Sequence, residues 1–139
     1  MAAVAALDSA VQPHEEHRIM ILTERLQLDS ILTGRTHRLV HNFCDDAWDA
    51  LPKLWTITHQ QVLAEAERRG WECFVSVSAP YDDFLVIEEP TGFVSCSFER
   101  GELQQANARQ FPQIEAAVRD MLTRRMRAVG LTKGQANEV

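Results

Sequence analysis

The chain has 139 residues, the length of one domain with a core large enough to fold without metal or disulfide. Its composition is 45% hydrophobic and 24% charged, which excludes a disordered chain. A net charge of −6 excludes broad binding along phosphate backbones unless a concentrated basic patch exists.

The opening MAAVAALDSAVQPHEEH has no basic start and is interrupted by Asp8, so it does not read as a signal peptide. Residues 1–14 read as a flexible tail ended by Pro13, and residues 15–131 as a single domain. From Glu15 to Thr33, Ile19, Leu22 and Leu26 keep helical spacing, and Gly34 is a natural stop. RTHRLVHNF fits helix or strand equally. CDDAWDALPKLW predicts a helical turn capped by Asp45 or Asp46 and broken near Pro52. TITHQQVLAEAERRG predicts a helix capped by Thr58, with Val62, Leu63 and Ala66 inside and Gly70 at its end.

At Trp71 the period changes. WECFVSVS alternates, with Cys73, Val75 and Val77 inward, and predicts a half-buried strand. The continuous apolar run FLVIEE suits a strand in the middle of a sheet, Pro90-Thr91-Gly92 a hairpin loop, and FVSCSF a second strand. ELQQANARQ predicts a ragged edge strand. The last helix has Pro112 in its first turn, a stripe of Ile114, Val118, Met121, Leu122 and Val129, and Gly130 at its close. Its basic run of Arg119, Arg124, Arg125 and Arg127, with Lys133 beyond, suits a helix C-terminus, so no nucleic-acid partner is expected. Residues 132–139 read as a second flexible tail. The fold class is therefore α+β: N-terminal helices, an antiparallel sheet of three or four strands, and a C-terminal helix on one face.

Chemistry-bearing residues are few. His37 and His41 share a face if their segment is helical, and Cys44 and Asp45 follow, but the set lacks the second spaced pair of a zinc frame. Cys73 and Cys96 are expected to face inward, where burial makes a thiol inert, and the aspartates beside Cys44 disfavour its thiolate. Glu88 or Glu89 stands about 20 Å, one strand's length, from Glu99, too far for shared acid–base work. Neither an active site, a metal nor a cofactor is expected. Glu99-Arg100-Gly101 ends a strand with a carboxylate, a guanidinium and a residue free to turn, and a structural turn and a contact surface stand equally open for it. The odd cysteine count and the lack of about 20 consecutive apolar residues predict a cytoplasmic protein without a membrane partner.

From Trp71 to about Met126 the chain resembles small bacterial immunity proteins, the cognate inhibitors of polymorphic and contact-dependent growth inhibition toxins. The resemblance rests on Tyr81 to Asp83, Glu88, Glu89, Gly92, Phe93, Phe98 to Gly101, Phe111, Glu115, Ala116 and Leu122. The family's Trp-x-Val-Tyr-Tyr stands here as Phe93-Val94-Ser95-Cys96-Ser97, and residues 1–70 lie outside the likeness. It implies a protein that neutralises a toxin domain, a nuclease being one candidate, by contact and without catalysis. An acidic inhibitor would gain steered association with a basic nuclease. Asp45, Asp46, Asp49, Asp82 and Asp83 are then contact candidates, with Trp48 and Tyr81 as aromatic anchors, Glu99 and Arg100 at the strand exit, and Gly92 and Gly101 as turn residues. The competing expectations are a small metal- or ligand-binding regulator using His37, His41 and Cys44, and a secretion or assembly chaperone.

Overall fold

The computed structural model describes residues 21–78, 80 and 82–131. The two expected tails, residues 15–20 of the expected first helix, and Tyr81 lie outside the described residues. The architecture is α+β, as expected. Helices α1 (Glu24–Thr33), α2 (Thr36–Phe43), α3 (Leu51–Leu54) and α4 (His59–Arg69) come first. Strands β1 (Asp83–Glu89), β2 (Gly92–Glu99), β3 (Glu102–Leu103) and β4 (Arg109–Phe111) form an antiparallel sheet, and α5 (Ile114–Ala128) packs across it.

Local chemistry sets the helix ends. α1 starts at Glu24 rather than at Glu15. Thr23 stands extended before it and its hydroxyl accepts from the Leu26 N–H, an N-cap that fixes the start. Gly34, at φ 73°, ends the helix in the left-handed conformation. α4 carries the expected Thr58 cap and completes a capping box, with Gln61 reaching back to the Thr58 N–H. The α2–α3 segment departs from expectation. Asp45 and Asp46 cap nothing, because both sit in the left-handed region at φ 51° and 64°. Pro52 does not break a helix there. It stands in the first turn of α3, where its missing N–H costs nothing. Pro112 precedes the N-cap Gln113 of α5 instead of lying inside the helix.

The strand expected at Trp71–Ser78 does not form. After Gly70 the chain makes a 3-10 turn, Trp71–Phe74, in which the Cys73 N–H donates to the Gly70 carbonyl. The Trp71 ring lies against Arg119 of α5, 5.4 Å from guanidinium carbon to ring centroid, which draws this segment across the helix instead of along the sheet. Among the described residues of this segment, contact with β1 is limited to an isolated parallel bridge between Val75 and Val86 and the adjoining Ser76 N–H, which donates to the Val86 carbonyl. Cys73 and Val77 are consequently exposed, not inward.

β2, not β1, is the middle strand. One edge of β2 pairs with β1 from Asp83↔Phe98 to Glu89↔Gly92; its other edge is shared by β3 and β4. The apolar run in β1 arises because Leu85 and Val86, on opposite faces, are both buried. Burial of the faces says nothing about the edges. Val86 belongs to the main core with Ile31, Leu51, Val62, Val118, Leu122 and Met126. Leu85, Val94 and Cys96 form a smaller cluster on the other face.

Candidate functional site

The residues singled out by sequence fall into two groups. The first sits where β2 meets β3. Glu99 pairs with Glu102 across a two-residue hairpin turn, Arg100-Gly101, whose φ values are 54° and 80°. Positive φ at both central residues is what a tight type I′ turn requires, so Gly101 is a turn residue. Arg100 fixes the strand exit through its main chain: its N–H donates to Asp82 Oδ1 at 2.9 Å. The trio is therefore a hairpin turn, stapled by the aspartate that precedes β1. Gly92 is also structural. It has φ 152°, and a Cβ there would stand 2.6 Å from the Phe111 carbonyl oxygen.

Asp83 faces inward. Its carboxylate meets the Arg125 guanidinium at 3.2 Å. Arg125 is buried in α5, and it also donates to the carbonyls of Ile31 (2.8 Å), Leu32 (3.2 Å) and Phe84 (2.6 Å). One guanidinium thus ties the end of α1, the start of β1 and α5 together. Cations suit the carbonyl end of a helix, and Gly34 leaves room for this one. Burial pushes the Arg125 guanidinium down and the Asp83 carboxyl up from their ordinary values, each opposed by the attraction of the other. Asp82 is exposed with its carboxylate engaged at the Arg100 N–H, and Asp83 is half-buried against Arg125.

The second group remains turned to solvent. Asp45, Asp46, Trp48 and Asp49 occupy the loop between α2 and α3, and all four are exposed. Trp48 keeps 47% of its surface in water, unusual for so large an apolar side chain. Two successive aspartates in the left-handed region store backbone strain of the kind that collects at functional sites. The loop is held by main-chain bonds: the Asp46 N–H donates to the Val40 carbonyl at 3.0 Å and the Ala47 N–H to the Cys44 carbonyl at 2.9 Å. His41 Nδ1 lies 3.2 Å from Asp46 Oδ1. The result is an aromatic side chain presented on an acidic, preset loop.

The alternative ligand set of His37, His41 and Cys44 does not converge. His37 and His41 are exposed on α2, whereas Cys44 is buried and its thiol is pushed up by burial and by Asp45. Among the described residues no three His, Cys, Asp or Glu side chains are grouped to hold a metal. Cys96 is fully buried, and burial raises its thiol as well. Among the described residues no helix is long and apolar enough to cross a membrane.

No protein-family model, curated protein or solved structure matches the chain. Its own geometry therefore carries the functional argument. The residue that sequence reasoning missed is Arg125. A signal existed: it lies seven residues after Val118 and three after Leu122, on the buried stripe of α5 and not on its solvated side.

Proposed function

We propose that the protein is an immunity-type inhibitor that neutralises a toxin domain by protein–protein contact, with the Asp45–Asp49 loop as its docking surface. The observation that carries this reading is the exposed Trp48 ring set among three exposed aspartates on a strained, hydrogen-bonded loop. Interface hot spots are dominated by buried aromatic anchors surrounded by a rim that excludes water. A preset loop loses little entropy on binding. The acidic rim suits a basic partner such as a nuclease domain, whose approach it would steer.

Trp48 is the anchor and Asp45, Asp46 and Asp49 the rim. Trp48→Ala is expected to weaken the complex by about 2 kcal/mol, roughly thirty-fold, through faster dissociation. Asp45→Lys with Asp46→Lys is expected to slow association at low salt and to lose that effect as salt rises. The test is co-expression with the toxin domain encoded beside this gene. Cells should survive with the wild-type protein and die with the folded Trp48→Ala, Asp45→Lys, Asp46→Lys variant. Death despite well-folded wild-type protein, or no complex between the purified pair, rejects the reading.

A further inference from the structure

We propose that the groove between α1 and α2 is a second docking site, and that it takes an acidic amphipathic helix from a protein partner. The inference goes beyond the reading above and does not depend on it. Leu26, Asp29, Ser30 and Thr33 follow the i, i+3, i+4, i+7 pattern along α1, and Arg38, Leu39 and Asn42 line one side of α2, with Arg35 at its N-cap. The sharp turn at Gly34 sets the two stripes facing each other across a groove of about 460 Å³.

Leu39 and Phe43 supply an apolar floor, and Leu26 an apolar wall that is 41% exposed. The polar groups of α1 are already engaged. Asp29 is paired with Arg69 at 2.6 Å, the Thr33 hydroxyl donates to the Asp29 carbonyl, and the Ser30 hydroxyl donates to the Gln27 carbonyl. Arg35 and Arg38 are different. Both are exposed, and among the described residues neither guanidinium enters an ion pair. In a chain of net charge −6 they make a local cationic rim above an apolar floor. The complement is an apolar stripe flanked by carboxylates, which arginine binds in two-pronged fashion.

A helix fits better than an extended strand, because the hollow between two helices receives the ridge of a third. α2 has eight residues, about 12 Å, enough to seat two turns of a partner helix with two or three apolar anchors.

The test uses two synthetic 16-residue helical peptides with one Leu/Phe stripe at i, i+4 and i+7, flanked by Glu in one peptide and by Lys in its twin. Each is titrated into the ¹⁵N-labelled full chain. The Glu peptide is expected to shift the amides of Leu26, Ser30, Leu39, Asn42 and Phe43 and to bind about tenfold tighter than the Lys twin, a difference of about 1.4 kcal/mol. The Arg35→Glu, Arg38→Glu variant changes only exposed positions and should reverse that preference. Leu26→Asp should weaken both peptides. Equal binding of the twins, shifts confined to other residues, or no shift at millimolar peptide overturns the proposal. Shifts of the same amides on concentrating the protein alone would assign the groove to a second copy, and overturn it too.

Discussion

Replacing Arg125 by methionine tests the central tie of the fold. The two side chains have similar reach, so the change removes charge and hydrogen bonds more than volume. Arg125 is 8% exposed and satisfies the carbonyls of Ile31, Leu32 and Phe84 as well as the Asp83 carboxylate. Methionine leaves three carbonyls without this donor and a half-buried carboxylate without its cation. Breaking a buried pair from one side costs about 3–5 kcal/mol. For a domain of this size that is a fall of roughly 10–20 °C in Tm. Asp83→Asn should cost less, about 1–3 kcal/mol, because the guanidinium keeps its three carbonyls. The double variant should lose about 1–3 kcal/mol less than the sum of the single losses, since the two groups share one interaction. Urea unfolding of all four proteins, followed by far-UV circular dichroism, measures the cycle. If Arg125→Met unfolds within about 1 kcal/mol of the parent, or the cycle is additive, the tie does not hold the three segments as described.

The two hairpin glycines should respond differently to substitution. Gly92→Ala drives a Cβ to 2.6 Å from the Phe111 carbonyl oxygen, and is expected to cost on the order of 2 kcal/mol or more. At Gly101 an added Cβ meets no atom within 4 Å, so Gly101→Val is expected to bear mainly the positive φ of 80°, for about 1 kcal/mol. Equal thermal shifts would contradict this order. His59 Nε2 meets Thr123 Oγ1 at 2.9 Å, and burial, then Arg127 and Arg119, lower its pKa below the ordinary 6.5. Above that ordinary value both folded and unfolded states are neutral and stability is full. As pH falls through it the unfolded state takes up the proton first, so stability declines until the folded state protonates too. Urea midpoints between pH 7.5 and 5.5 should show this slope, and His59→Gln should flatten it. Asp45→Gly and Asp46→Gly relieve left-handed strain and should leave stability unchanged or raise it by up to about 1 kcal/mol. The same variants should weaken partner binding in calorimetry, because they remove rim charge and loosen the loop.

Elements that carried their own local chemistry were legible in the sequence. Thr58 with Gln61, Gly34, the Pro90-Thr91-Gly92 hairpin and the stripe of α5 each state a cap, a stop, a turn or a face. Misreadings came where tertiary contacts overrode the local pattern. WECFVSVS alternates like a strand, but Trp71 docks on α5 and the chain follows it. FLVIEE reads as central because both its faces are buried, while its lateral position depends on which strand β3 and β4 choose to join. The acidic clusters look alike in sequence. The difference is that Asp82 and Asp83 have partners at Arg100 and Arg125, positions 18 and 42 residues away, whereas Asp45 and Asp49 are left to solvent. Sequence spacing records nothing at that range.

The outer edge of β1 is a template on which another chain could add. Among the described residues only Val75 pairs with it, near its middle, where the Ser76 N–H also donates to the Val86 carbonyl. Asp83 stands at one end of β1; Glu88, Glu89 and Pro90 stand at the other. An incoming strand would meet a single occupied bridge at the centre and carboxylates at both ends, so no run of free, uncharged backbone is long enough to seed growth. The short contact of Val75 and Ser76 with Val86 would thereby help guard this edge against strand addition. Replacing Glu88 and Glu89 by valine would extend the uncharged edge and should promote aggregation from the folded state.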